Sequence, residues 1–190
     1  MDKEFISQLK NGDNEAYEKL IAMYSKRMYY LCLKMLGNSS DAEDAVQITF
    51  LKVYKGINKF EKRSELTTWI YKIAINTCND ILRKRKNEYL LSNLTANDEQ
   101  TEDFYYKVAD EKENIEETIL RKERERIIYD CIARLSEIHR KFIVLRDLEG
   151  LSYQQIANVL DMNIGTVKSG INRARGKLIK LIKEYENRGI

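Results

Sequence analysis

Residues 151–177 read LSYQQIANVLDMNIGTVKSGINRARGK, and this stretch decides the fold of the C-terminal half. Its spacing predicts a short amphipathic helix, a tight polar turn, and a second helix with basic and amide side chains on its outer face. A helix-turn-helix has this pattern, and the residue types of the second helix suit the major groove of duplex DNA.

The second helix has two different sides, with Asn163 as its expected N-cap. One side is apolar and is expected to pack on preceding helices; it carries Val167, Ile171, Ala174, Leu178 and Leu181. The other side is expected to face DNA; it carries Thr166, Ser169, Asn172 and Arg173, flanked by Lys168, Arg175 and Lys177. Arginine can pair with guanine and asparagine with adenine, whereas lysines suit phosphates. The alternative is that this helix is only a solvated basic helix end. That alternative would explain Lys180 and Lys183, but it would not explain the expected helix cap at Ser152.

Composition predicts an all-α fold for the rest of the chain. The 190 residues include no proline and only eight glycines, so helix breakers are nearly absent. The net charge of +3 is small, but it is unevenly distributed. Residues 164–190 carry seven basic and two acidic side chains, residues 98–117 carry nine acidic and two basic ones, and residues 83–86 are all basic. Two basic regions are therefore separated by an acidic one.

The sequence predicts two helical domains, at residues 1–90 and 115–190, joined by a flexible acidic linker at 91–114. The first domain is expected to hold four helices and the second a three- to four-helix unit containing the helix-turn-helix. Expected boundaries are helices at 2–10 and 15–36, a charged loop at 56–65, a helix ending in the basic run at 83–86, and a helix at 137–148. Expected caps are Asp13 or Asn14, Ser39 or Ser40, Thr67 or Thr68 as a helix start, and Ser136.

Several function classes find no support in the sequence. Cys32, Cys78 and Cys131 lie in apolar helical patterns and are expected to be reduced core thiols. Neither a signal peptide nor a membrane span is indicated, which favours a cytoplasmic protein without membrane insertion. His139 is expected to be an ordinary half-exposed residue, and no catalytic pattern occurs. We therefore expect no enzymatic activity, no metal, no cofactor and no small-molecule substrate.

Four segments resemble parts of one known family. Residues 41–54 (DAEDAVQITFLKVY) and 59–84 (KFEKRSELTTWIYKIAINTCNDILRK) resemble the promoter-melting domain of bacterial sigma factors. Residues 151–157 (LSYQQIA) and 165–178 (GTVKSGINRARGKL) resemble the domain of the same family that reads the −35 element. Both domains, in this order, are typical of the extracytoplasmic-function (ECF) group of the sigma-70 family. The resemblance covers about residues 15–181.

The resemblance implies roles for individual residues of the first domain. Asp44 and Gln47 would dock on the clamp coiled coil of core RNA polymerase, whose flap is the second expected contact. The loop 59–65 would hold a flipped −10 base; its site residues are Lys59, Phe60, Lys62, Arg63 and Ser64. Asn76 and Asp80 would contact −10 bases, and Arg83 the DNA backbone. Trp69 is expected in the core, with base stacking as the alternative.

In the second domain the same resemblance directs Lys168, Ser169, Asn172 and Arg173 toward the −35 duplex. It also implies an anti-sigma factor as a regulatory partner. The acidic linker is either a solvated tether or, as in the family, a segment that threads toward the RNA exit path.

Four positions depart from the usual family pattern. Gly170 stands where arginine is common, which predicts one missing DNA contact. Asp161 replaces a turn glycine, which is tolerable because aspartate can adopt left-handed backbone angles. Leu66 stands where an aromatic residue is common and Ile75 where arginine is common. These departures leave the promoter preference open but not the family.

Two other functions compete with the sigma-factor interpretation. A dimeric helix-turn-helix regulator would bind duplex DNA without polymerase. A helical interaction protein would only sequester a partner.

Overall fold

The computed structural model describes residues 3–61, 64–92 and 115–187, and the side chains of these residues except at 90–92 and 115–122. The described residues form helices and no strand, which confirms the all-α prediction. The helices are α1 (Lys3–Lys10), α2 (Asn14–Leu36), α3 (Ser39–Gly56), α4 (Leu66–Ser92), α5 (Ile115–Ala133), α6 (Glu137–Ile143), α7 (Tyr153–Leu160) and α8 (Ile164–Glu186). None of these described helices combines the length and apolar composition needed to cross a bilayer.

Helix α2 begins one residue before the predicted start and ends at the predicted Leu36. The Asp13 carboxylate accepts a hydrogen bond from the Ala16 amide at 3.1 Å and so caps the first turn. At the other end, Gly37 has a φ of 84°, and its amide donates to the Leu33 carbonyl at 2.8 Å. Glycine adopts this left-handed conformation without the steric cost of a Cβ, which is why the helix ends there.

The prediction of Ser39 or Ser40 as the cap of α3 is wrong. Asn38 takes the extended N-cap conformation, and its side-chain oxygen accepts from the Asp41 amide at 2.8 Å. Asparagine ranks with serine among the best N-cap residues. Because Asn38 comes first after the left-handed Gly37, both serines fall inside the first helical turn.

The first part of the charged loop predicted at 56–65 is helical. Helix α3 includes Gly56 and is followed by a 3-10 turn at Ile57–Lys59. Ile57 and Phe60 are buried and attach this turn to the core. Helix α4 then begins at Leu66, slightly before the predicted Thr67 or Thr68.

Helix α4 also continues past the basic run at 83–86, where it was predicted to end, and reaches Ser92. Residues 87–92 contain neither glycine nor proline, so nothing in the sequence stops the helix. Lys84 and Glu88 add an ion pair one turn apart, with 3.7 Å between Nζ and Oε1. The rest of the predicted linker, at 93–114, lies outside the described residues.

Two compact units are distinguished by the contacts within the chain. The first is built on α1 to α4, and the second on α5, α6, α8 and the first part of α7, residues 153–157. The core of the first unit includes Leu20, Met28, Leu31, Met35, Ala45, Val53, Ile70 and Tyr71. The core of the second includes Ile132, Phe142, Ile143, Val144, Leu145, Val167, Ile171 and Ala174. Cys32, Cys78 and Cys131 are buried and form no disulfide, as predicted.

The helix predicted at 137–148 changes geometry near its end. Helix α6 stops at Ile143, and a π-helical turn follows at Val144–Leu148. Gly150, with a φ of 72°, then ends the segment as predicted. Ser136 occupies the N-cap position, but its hydroxyl lies 2.7 Å from the Nδ1 atom of His139 and makes no capping hydrogen bond.

Candidate nucleic-acid interface

Helix α7 begins with a reciprocal cap. The Ser152 hydroxyl accepts from the Gln155 amide at 3.2 Å, and the Gln155 side chain accepts from the Ser152 amide at 2.8 Å. This capping box satisfies two backbone donors at the helix start. The capping role predicted for Ser152 is therefore confirmed.

The turn after α7 has the predicted geometry. Asp161 has a φ of 53°, which confirms that aspartate tolerates the left-handed position here. The Asn163 side chain then caps α8, because its oxygen accepts from the Thr166 amide at 2.8 Å. The cap fixes where α8 starts and hence which side chains each face carries.

Helix α8 has one buried side and one exposed side. Val167, Ile171 and Ala174 are buried, as the helical spacing predicted. The side chains proposed to face DNA are all exposed; they are Thr166, Lys168, Ser169, Asn172, Arg173 and Lys177. The surface is therefore polar, cationic and carried by one helix, as groove reading requires.

Hydrogen bonds run along this exposed face. The Ser169 hydroxyl donates to the Thr166 carbonyl at 3.2 Å, and Arg173 donates to the Ser169 hydroxyl at 3.4 Å. Arg175, expected on one flank, is instead held by the Asp147 carboxylate, which accepts from Nε at 3.1 Å. This hydrogen bond raises the pKa of Arg175 above its ordinary value. Arg173 is thus more available to DNA than Arg175.

At the edge of this face, Tyr153 was missed from sequence, whereas His139 is half-exposed, as predicted. The Tyr153 ring lies between two cations, 4.8 Å from the Arg146 guanidinium carbon and 5.9 Å from Lys168 Nζ. Aromatic rings attract cations at these distances. Burial, followed by the positive charges of Lys177 and Arg173, lowers the pKa of His139. His139 thus lies beside the reading helix, which its position in α6 did not reveal.

The structure gives a packing reason for the glycine at position 170, and the missing DNA contact stays a prediction. A Cβ atom at this position would lie 2.3 Å from Cε2 of Phe142, a buried ring of α6. Position 170 is therefore on the packed side of α8, and an arginine there would have to displace Phe142. Close helix packing explains the glycine.

On the first unit, the residues of α4 predicted to contact the −10 bases and the DNA backbone share one face of that helix. Asn76, Asp80 and Arg83 are exposed and spaced four and three residues apart. Both Asp80 carboxylate oxygens are occupied: Oδ1 lies 2.8 Å from Arg83 and Oδ2 lies 3.2 Å from Lys52 Nζ of α3. Lys52 was missed, because only the fold brings it to this face.

One of the residues predicted to hold a flipped base in the loop 59–65 lies in the core instead. Phe60 is only 4% exposed, and its ring centroid is 5.2 Å from that of Trp69, so its side chain supports the core. Lys59 is exposed and Ser64 is half-buried, whereas Lys62 and Arg63 lie outside the described residues. The contact with Phe60 accords with the core interpretation of Trp69.

Two departures from the family pattern are also explained by burial. Leu66 is 3% exposed and Ile75 is 1% exposed. Neither side chain faces solvent, and their effect on promoter preference stays open. Both fill the core of the first unit.

The proposed polymerase-docking residues lie on an exposed face of α3. Asp44 and Gln47 are both exposed. The apolar side chains of Ile48 and Leu51, next along this helix, are 38% and 52% exposed. Sequence reasoning missed these two because it sought apolar residues only as core. Together with the polar residues, they give this face apolar area that a protein partner can bury.

Comparisons with known proteins match both units. The model of sigma-70 region 2 matches residues 20–88, and that of sigma-70 region 4 matches residues 125–178. The chain is 34% identical to the ECF RNA polymerase sigma factor SigW of Bacillus subtilis over 184 residues, which is 97% of this chain and 98% of that protein. It is also 34% identical to the ECF RNA polymerase sigma-E factor of Haemophilus influenzae, covering 92% of this chain and 91% of that one.

Two solved structures share the fold. One is CnrH in complex with the cytosolic domain of CnrY, with a TM-score of 0.70, 22% identity, and coverage of 96% of this chain and 97% of that one. The other is the sigma factor RpoE of Bartonella quintana in complex with the anti-sigma factor NepR, with a TM-score of 0.67, 24% identity, and coverage of 88% and 96%.

Proposed function

This chain belongs to the extracytoplasmic-function group of the sigma-70 family of RNA polymerase sigma factors, and on that basis we propose how its residues direct promoter-specific transcription initiation. The second unit reads the −35 duplex, and the first docks on core polymerase and holds the opened −10 strand. The chain supplies promoter recognition, and the polymerase supplies catalysis. It acts in the cytoplasm, where polymerase and DNA meet.

The exposed face of α8 carries this proposal. Asn172 and Arg173 supply the amide and guanidinium groups that bond base edges, and Lys168 and Lys177 supply charge for phosphates. Thr166 and Ser169 complete the face near the helix start, where a reading helix enters the groove. All six side chains are exposed and are backed by a buried apolar side that fixes the helix on its unit.

The face of α3 supports polymerase docking. Asp44 and Gln47 provide polar contacts, and the half-exposed Ile48 and Leu51 provide apolar area to bury against the clamp coiled coil. The polymerase flap is the proposed contact of the second unit. For the −10 strand, Asn76 contacts bases and Arg83 the backbone, while the loop with Lys59, Lys62, Arg63 and Ser64 receives an unstacked base.

An anti-sigma factor is the proposed regulator. The solved structure of RpoE from Bartonella quintana is a complex with an anti-sigma factor, and this chain shares the fold of RpoE. The exposed apolar residues of α3 offer an area that such a partner can cover. A partner bound there would exclude polymerase, so its release would activate the chain.

Run-off transcription with purified core polymerase tests the proposal. We expect promoter-dependent transcript only when the chain is added, and little transcript with Leu51→Glu, which places a charge on the docking face. Met23→Glu is the matched control, because Met23 is a similarly exposed apolar residue of α2, 59% exposed. Duplex binding by the chain alone, without any effect on polymerase, would instead favour a dimeric regulator. If the chain neither binds duplex DNA nor affects polymerase, the remaining candidate is a helical protein that sequesters a partner.

A further inference from the structure

A lysine of the docking helix reaches the −10 face of the neighbouring helix. Lys52 Nζ of α3 lies 3.1 Å from Thr77 Oγ1 and 3.2 Å from Asp80 Oδ2, both on α4. The other oxygen of Asp80 accepts from Arg83 at 2.8 Å. Two cations from different helices are therefore held on opposite sides of one carboxylate.

These two cations keep unused hydrogen-bond donors. A lysine ammonium has three donors, and Thr77 and Asp80 accept two of those of Lys52. A guanidinium has five donors, and Asp80 accepts one from Arg83. The side chains of Lys52 and Arg83 remain 43% and 75% exposed, so solvent or a ligand can reach them. The three charges sum to one positive charge, which suits an anionic oxygen.

The same contacts limit what Asp80 can do. Each oxygen already accepts from a cation and keeps one further lone-pair site, so a donor on a base would have to reach Asp80 between Lys52 and Arg83. The effect of Asp80 is to hold Lys52 and Arg83 in fixed positions, which reduces the entropy that each must lose on binding.

We infer that Lys52 is a further DNA-binding residue and forms, with Arg83, a clamp for backbone phosphate beside the −10 bases, with Asp80 as its positioning residue. The inference rests on the proposed function, because Asn76, one turn before Asp80 on the same face, is the proposed base contact. The ligand is a phosphate oxygen of the DNA strand. The simpler reading, a surface ion pair that only joins α3 to α4, makes a different prediction about salt.

The test measures promoter binding by the reconstituted holoenzyme as a function of salt. The probe is a promoter fragment selected by the wild-type holoenzyme from random DNA. Each phosphate contact contributes about 0.7–0.9 to the slope of log affinity against log salt. We expect Lys52→Ala to make the slope shallower by about that amount, so its affinity deficit is about threefold larger at 50 mM than at 200 mM salt.

Three further variants separate the alternatives. Lys52→Arg should restore the slope, because it keeps the charge. Lys19→Ala, which removes a lysine paired with Glu15 inside α2 at 3.4 Å, should leave the slope unchanged. Holoenzyme with Asp80→Asn should bind promoters that differ in their −10 bases in the same order of affinity as the wild type. If Asp80 reads a base, this order should change.

An unchanged slope with Lys52→Ala, while the wild-type chain still forms promoter complexes, overturns the inference and leaves the proposed function intact. Weaker binding of Lys52→Ala to core polymerase, with a normal salt slope, also overturns it and assigns Lys52 to the docking face. If the wild-type chain forms no promoter complex with polymerase, the proposed function fails and the inference falls with it.

Discussion

The −35 face of the second unit and the −10 face of the first are built in different ways. Helix α8 supplies every proposed −35 contact, and the neighbouring helices only support it. The −10 face combines Asn76 and Arg83 of α4 with Lys52 of α3, and its adjacent loop is anchored by the buried Phe60. The single-helix face depends on one element, whereas the composite face also depends on buried residues such as Phe60 that attach its loop to the core.

The largest effect is expected where the composite face meets the core. Phe60→Ala should lower the free energy of unfolding of the first unit by about 3 kcal/mol or more, because it removes a buried ring that packs on Trp69. Lys59→Ala, one residue earlier and exposed, should change it by less than about 0.5 kcal/mol. Urea denaturation measures both. Equal stability of the two variants would mean that Phe60 is not a core residue.

The single-helix face should lose specificity without losing stability. Arg173→Ala should weaken holoenzyme binding to the −35 element by about 1–3 kcal/mol and relax discrimination at one base pair. Arg175→Ala is the matched control, because its guanidinium is already bound by Asp147. Affinities for promoters with single −35 substitutions test this. Retained discrimination at every position in Arg173→Ala would contradict a reading role.

Alanine substitutions at two glycines of α8 distinguish its packed side from its exposed side. In a helix, alanine gains about 1 kcal/mol over glycine, but overpacking costs about 1–3 kcal/mol. Gly170→Ala places a Cβ 2.3 Å from Phe142 and should therefore be destabilising. Gly176→Ala meets nothing within 4 Å and should be stabilising. Thermal unfolding of both variants checks the opposite signs, and a stabilising Gly170→Ala would contradict the packing explanation.

The smallest expected effect is a pH dependence in the second unit. Because burial and the charges of Lys177 and Arg173 lower the pKa of His139, the unfolded chain binds its proton more readily than the folded one. Stability should be fully present above about pH 6.5 and should decrease as the pH falls from there toward the folded pKa. His139→Gln should remove this component of the melting temperature between about pH 5.5 and 7.5. Identical pH profiles of both proteins would show that His139 is not responsible.

The difference between the faces also explains what sequence could predict. Helical spacing alone identified the buried and exposed sides of α8, because both sides belong to one regular element. Spacing could not identify Lys52, whose partners Thr77 and Asp80 lie on another helix. Nor could a family pattern show that Gly170, Leu66 and Ile75 face the core, since residue type does not reveal orientation. A capping residue type at a helix start did not guarantee a cap: Asp13 and Asn163 accept the expected amides, whereas the Ser136 hydroxyl contacts His139 instead.

The measurement that tests the central claim most directly is permanganate oxidation of unpaired thymines in a selected promoter fragment. We predict reactive thymines around the −10 element only when core polymerase and the chain are both present, with reactivity reduced by Asn76→Ala. The account is contradicted if polymerase with the wild-type chain leaves these thymines unreactive, or if the same thymines react without the chain.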